Sequence, residues 1–327
     1  MEQLEIPVKA ANKLENENHS SKISFTKEMK RHWQLYTLTI PALSLLLCFA
    51  YLPIIGLVIA FKQFNFQQGM FFSDWAHPIY NNFLVMVNNS QAWNAIRNTV
   101  LLNLLFIFTG TVFSLALAIM LNEITGKVYK KIVQSITFLP YFISWIVVGM
   151  FVSAILNYDN GIADKIVVML GFKKVNFYLQ PNIWPFILMC ANIWKSAGYG
   201  AVVYLATIAG FSTEFYEAAQ IDGATRFQEI KYITLPLLKP TVIILTLLAV
   251  GGIMRSDFGL FYFVTSNMPS LYPTTDVIDT FIYRGLTATG SIGISTATGL
   301  FQSVLSLIIV LFFNRLANKV DEGGGLF

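Results

Sequence analysis

The stretch FSTEFYEAAQIDGATRFQEIKYITLPLLKP, Phe211–Pro240, is a polar interruption between two long apolar runs, and it carries its own folding instructions. Ser212 or Thr213 can cap a helix whose first turn holds Glu214 and Glu217, acids placed where the N-terminal end of the helix dipole favours them. Gly223 can take the left-handed conformation that ends that helix. Thr225 followed by Gln228 is a capping-box pattern for a second helix, and Leu235-Pro236 leads out of it toward the next apolar run. The segment reads as helix, glycine turn, helix. It lacks the one wide apolar face of a helix resting on a membrane. Instead the small residues Ala218, Ala219 and Ala224 surround the bend, which lets another protein approach closely.

The flanking runs decide the class. The 327-residue chain is 55% hydrophobic and 12% charged, with mean hydropathy +0.59, whereas soluble domains carry about 25% charged residues. Such a composition excludes disorder. The only two cysteines, Cys48 and Cys190, lie inside apolar runs, which excludes a disulfide-stapled scaffold. A spanning helix needs about 20 apolar residues, and six runs satisfy this: Ile40–Phe61, Val100–Leu121, Ile132–Leu156, Ile183–Ala209, Thr241–Val264 and Ser291–Asn314. None alternates apolar with polar residues as a membrane barrel does. The expectation is an all-α membrane protein of six transmembrane helices spanning residues 33–317, with tails at 1–32 and 318–327.

Lysine and arginine set the orientation, because cytoplasmic segments retain them. With the amino terminus inside, fourteen of these residues fall in inside segments and six outside. The inside set comprises Lys9, Lys13, Lys22, Lys27, Lys30 and Arg31 in the tail, Lys127, Lys130 and Lys131, then Arg226, Lys231 and Lys239, and finally Arg315 and Lys319. Both termini are thus expected in the cytoplasm, and the net charge of +4 requires no nucleic-acid partner. The polar start is too long and too acidic for a cleaved signal peptide, so the first span is expected to stay. Outside, Lys62–Phe83 is crowded with aromatics and amides, either an interfacial belt or a docking face, and Asn157–Asn182 has room for one short surface helix.

The inside segment resembles the cytoplasmic signature of the membrane-spanning subunits of binding-protein-dependent ABC importers: Glu-Ala-Ala, three residues, Gly, nine residues, Ile, one residue, Leu-Pro. Glu217-Ala218-Ala219, Gly223, Ile233 and Leu235-Pro236 match it without a gap. Weaker similarity runs from about Arg31 to Lys319 and points to the carbohydrate branch, within it to permeases for complex oligosaccharides. It is carried by RHWQLYTLTIPAL, Arg97-Asn98-Thr99, Ile193-Trp194-Lys195 with Gly198, Tyr204-Leu205-Ala206, VIDTFIYRG (Val277–Gly285) and TATGLFQSV (Thr296–Val304).

The resemblance implies the type I ABC importer permease fold in a bacterial cytoplasmic (inner) membrane. It implies a second homologous permease, most simply in a heterodimer, with two copies of an ABC ATPase subunit and an extracytoplasmic sugar-binding protein. It also implies that Glu217, Ala218, Ala219, Asp222, Gly223, Ala224, Phe227 and Ile230 couple the chain to that ATPase. Glu217 would pair with a base, the small residues would permit close packing, and Phe227 and Ile230 would make apolar contacts, unless those two pack on the chain's own spans. No G-x-x-x-x-G-K-[ST] loop occurs, the nearest pair being Gly126-Lys127 before a valine, so Mg-ATP belongs to the partner and this chain needs no cofactor of its own. There is no HExxH, Cys/His cluster or G-x-S-x-G, and His19, His32 and His77 are scattered, so an enzyme is not expected.

Charges at membrane depth cost about 2.5–3.5 kcal/mol on insertion scales and mark functional candidates. Lys195 lies near the middle of the fourth run, and Arg255 and Asp257 beyond the middle of the fifth. One reading sets them along a solute path, with Lys195 and Arg255 facing carboxylates or sulfates of an acidic, uronate-containing oligosaccharide, and Trp194 and Tyr199 stacking on sugar rings. The other makes the charges an internal pair or snorkelling side chains and the aromatics ordinary packing. An ion-coupled secondary transporter or channel using Lys195, Arg255 and Asp257 as a relay is the alternative function. It would have no reason to contain the inside signature, and no inverted repeats support it.

Overall fold

The computed structural model describes residues 32–320, and among them every extended element is helical apart from one isolated bridge between Lys62 and Trp75. The tail bases Lys9 to Arg31, the side chain of Lys319 and residues 321–327 lie outside the described residues. Five helices are long and apolar enough to cross a membrane, and a bent pair makes a sixth. The chain divides into two compact units after Leu57.

The first unit holds α1, Trp33–Leu46, followed by a π turn at Leu47–Tyr51 and a 3-10 stretch beginning at Leu52. Pro41 is accommodated inside α1. The helical path starts earlier than the apolar run, at Trp33 rather than Ile40.

In the second unit, α2 (Ser90–Asn122) and α5 (Trp184–Ala209) run parallel and pack against each other along their length. Leu102 and Phe106 pack with Trp184 and Leu188 at one end, and Ala118 and Leu121 with Ala201 and Leu205 at the other. Asn89 caps α2 by accepting from Gln91 N at 2.9 Å. This start lies ten residues before the predicted one, so Arg97, Asn98 and Thr99 stand on a helix.

The third span is broken. α3 (Lys127–Phe138) and α4 (Trp145–Leu156) meet at 95° through a 3-10 turn, Leu139–Phe142. Pro140 contributes no donor there, and Ser144 restarts the chain by capping Val147 N at 3.5 Å. The apolar run Ile132–Leu156 concealed this, since hydropathy is blind to direction. α5 approaches the break closely: a Cβ on Gly198 would lie 1.9 Å from the Thr137 carbonyl oxygen. As expected, the following connection carries one short helix, Ile162–Met169.

The fifth span also departs from expectation. It is one membrane-length helix, Arg226–Gly251, made of α7 (Arg226–Glu229), a π turn (Ile230–Thr234) and α8 (Leu235–Gly251). The second helix of the inside segment is therefore the start of the span. Leu235-Pro236 continues it, because the π turn, in which Leu235 N reaches back to Ile230 O, widens the helix just where the proline ring would clash. The predicted far end, up to Val264, is not part of the helix. The chain leaves helical geometry at Gly252–Asp257 and resumes as a π turn at Leu260–Val264.

After that, α9 (Ile278–Thr287) and α10 (Ile292–Val320) complete the unit. The connection before α9 is fastened to α2. Arg97 and Asn98 donate to Pro273 O at 3.0 and 3.2 Å, Asn98 also to Asp276 O at 3.1 Å, and Ile278 N donates to Thr99 Oγ1 at 2.9 Å. Arg284 forms a two-bond pair with buried Asp276 (2.5 and 2.7 Å) and lies over the Tyr272 ring. Burial alone would lower the guanidinium pKa, but the Asp276 carboxylate more than offsets it and holds it above its ordinary value.

Candidate coupling surface and solute groove

α6 (Glu214–Ile221) begins with Ser212 Oγ accepting from Glu214 N at 3.3 Å, with Glu214 and Glu217 in its first turn. It ends at Gly223, whose φ of +80° is left-handed. Gly223 N donates to Gln220 O (3.1 Å) and Ala224 N to Ala219 O (2.9 Å), the paired bonds of a Schellman cap. The Thr225–Gln228 capping box then opens α7. Local signals in the sequence thus define an elbow.

The elbow presents Glu217, Ala218, Asp222 and Gly223 to the surface, with Ile221 87% and Phe227 72% exposed. Ala219, Ala224 and Ile230 are half-buried. Phe227 therefore does not pack on the chain's own spans, whereas Ile230 partly does. Two contacts were missed by sequence reading. Tyr216 Oη lies 3.0 Å from Thr234 Oγ1 in the π turn and ties the elbow to the span, and within α7 buried Glu229 pairs with Arg226 at 3.0 Å.

The second feature is a groove of about 430 Å³ between α2, α5 and the break after α8. Asn103, Thr111 and Ser114 line it from α2, and Asn192, Ser196, Tyr199 and Tyr204 from α5. Arg255 and Asp257 enter from the break. Sequence reading named Tyr199 for the solute path but missed Asn103, Thr111, Ser114, Asn192, Ser196 and Tyr204, although their signal was present: polar residues about one or two helical turns apart on one face of otherwise apolar runs.

Non-helical backbone at membrane depth needs partners. Asn103 Nδ2 donates to Ile253 O at 2.7 Å, Gln302 Nε2 to Met254 O at 2.6 Å, and Ser256 N to Asp279 Oδ2 at 2.9 Å. Asp257 caps the restart, accepting from Gly259 N at 3.0 Å through Oδ1 and from Trp145 Nε1 at 2.5 Å through Oδ2. Arg255 is exposed in the groove, and among the described residues its guanidinium has no hydrogen bond or ion pair.

The predicted membrane-depth set does not stay together. Lys195 is turned to the break in the third span, where Nζ donates to Tyr141 O at 2.7 Å, Pro140 O at 3.5 Å and Ile143 O. Tyr199 lines the groove and stacks on Tyr141 with centroids 4.4 Å apart. Trp194 lies in a separate, apolar hollow of about 600 Å³ with Val148, Phe151 and Cys190.

A broken-helix bundle with a polar groove and an exposed elbow is the architecture of a multi-pass membrane permease, and comparison with known proteins makes the class specific. The family described as the binding-protein-dependent transport system inner membrane component matches residues 110–322, and the chain belongs to it. It is 33% identical to Protein LplB of Bacillus subtilis over 92% of this chain and 94% of that protein. It is 30% identical, over 89% of each, to the polygalacturonan/rhamnogalacturonan transport system permease protein YteP of the same organism. Among solved structures, it is similar to a chain of a bacterial ABC transporter involved in the import of the acidic polysaccharide alginate. That match has TM-score 0.80 and 37% identity, covering 90% of this chain and 98% of that one. A second structure of a bacterial alginate ABC transporter, in complex with an alginate pentasaccharide-bound periplasmic protein, gives TM-score 0.81 and 36% identity over the same shares. The type I ABC importer permease fold follows.

Proposed function

We propose that this chain forms one half of an ATP-driven path that imports an oligosaccharide. A second homologous permease supplies the other half, two ABC ATPase subunits bind Mg-ATP, one of them docking on the elbow, and an extracytoplasmic binding protein delivers the sugar. Both termini lie in the cytoplasm of a bacterial cell bounded by the membrane that this chain crosses. The names of the relatives support the sugar class, and the observation that carries the coupling role is the exposed Glu217-Ala218 elbow bonded into span five through Tyr216 and Thr234.

Geometry suggests how work is transmitted. Motion of α6 is passed through the Tyr216–Thr234 contact to the π turn and along α8 to its broken end, where Arg255 and Asp257 face the groove. Side chains from α2, α9 and α10 hold that end, so displacement of α8 reshapes the groove. The relay alternative lacks hydrogen-bonded continuity: Lys195 is engaged by carbonyls, Asp257 by an indole and backbone amides, and neither is hydrogen-bonded to Arg255, although Lys195 lies over the ring of Trp145, whose indole holds Asp257. The test is purification of the solubilised protein with its associates and an ATPase assay with and without loaded binding protein. An ATPase should co-purify, and Glu217→Ala should abolish sugar stimulation. Absence of any ATPase, with uptake following an ion gradient, would sink the reading.

A further inference from the structure

We propose that Arg255 is the specificity-determining residue of the groove and that it selects solutes bearing a carboxylate, one sugar carboxylate meeting its guanidinium as the chain passes. This deepens the importer reading and rests on it.

The sequence offered two membrane-depth cations for an acidic solute, and the structure distinguishes them. The Lys195 ammonium is consumed by three backbone carbonyls at the break in the third span, those of Pro140, Tyr141 and Ile143. The nearby acids are likewise occupied. Asp257 holds Trp145 Nε1 and the Gly259 amide, and Asp279 accepts from Ser256 N and from Gln302. Of the charged groups that line the groove among the described residues, Arg255 keeps its donors free, and the groove's volume of about 430 Å³ falls within the usual range of small-ligand clefts. Its backbone is fixed, with Asn103 bonded to the carbonyls on either side of Met254 (2.7 and 3.3 Å), so the side chain projects from a held loop. A planar guanidinium with free donors matches a carboxylate by two parallel bonds, which an ammonium does not. Asn192 and Ser196, on the facing helix, are of the type that bonds sugar hydroxyls.

The experiment uses the assembled importer in liposomes with loaded binding protein, and compares uptake of trigalacturonate with that of its fully methyl-esterified, uncharged form. Arg255→Gln should lower uptake of the acid about ten- to a hundredfold, the worth of a hydrogen bond to a charged group, and leave uptake of the ester at the wild-type level. Arg255→Lys should fall between. In parallel, phenylglyoxal labelling of Arg255 in the solubilised complex, read by mass spectrometry, should be suppressed by trigalacturonate and not by the ester. Equal loss of both substrates in Arg255→Gln, preference of the wild type for the ester, or no protection from labelling each overturns the proposal while leaving the importer reading intact. Failure of the wild type to take up either sugar on ATP addition, with labelling still blocked by the acid alone, counts against the importer reading and supports the role of Arg255.

Discussion

The indole Nε1 of Trp145 donates to Oδ2 of Asp257 at 2.5 Å, joining the restart of the broken third span to the restart of the broken fifth. Breaks in membrane helices need partners for their freed backbone groups, and here two breaks share one bond. Asp257 also caps Gly259 and Leu260, so the same carboxylate orders one restart and grips the other. The two spans are thereby constrained to move together.

Removing only that bond is the first test. Trp145→Phe keeps an aromatic ring but leaves the carboxylate short of a donor, a loss of about 1.5–3 kcal/mol for a hydrogen bond to a charged group. Denaturant unfolding of the solubilised protein should show that destabilisation, and sugar uptake should fall relative to ATP hydrolysis as the spans uncouple. Unchanged stability and unchanged uptake per ATP would dismiss the joint.

Lys195 is assigned to structure by its three carbonyl partners. Lys195→Met should destabilise the protein by about 1–3 kcal/mol, since the Tyr141 and Ile143 carbonyls lose their lysine donor. The ratio of acidic to neutral sugar uptake should stay at its wild-type value, in contrast to Arg255→Gln. A shift in that ratio would return Lys195 to the solute path.

Tyr216→Phe separates coupling from docking. The variant retains the ring and every exposed residue of the elbow but loses the 3.0 Å contact with Thr234. ATPase assembly and basal hydrolysis should persist, while sugar transported per ATP drops several-fold. Paired measurement of hydrolysis and uptake in liposomes decides it, since equal loss of both would indicate a docking role instead.

The Asp276–Arg284 pair locks the connection that Arg97, Asn98 and Thr99 fasten. Asp276→Asn leaves Arg284 short of its counter-charge at a largely buried site and should cost about 3–5 kcal/mol. Thermal unfolding should report it.

Local chemistry made much of the protein legible in advance. Hydropathy located the six apolar runs, and caps, acids and Gly223 outlined the elbow, because each signal involves residues within a few positions of one another. Where expectation failed, the cause lay far along the chain. The fifth span ends at Gly251 and not Val264 because Asn103, Asp279 and Gln302 pair the freed backbone, up to some 150 residues away in the case of Asn103. The third span bends where Pro140 and the Ser144 cap break it, and Lys195 from α5 supplies donors to the carbonyls at that break. The sequence by itself determined an all-helical membrane permease with a capped helical elbow, since burial in lipid and helix capping depend on neighbouring residues. Only tertiary structure decided which charge faces the groove, because an ammonium and a guanidinium of equal cost in hydrocarbon are told apart by what else lies within hydrogen-bond reach.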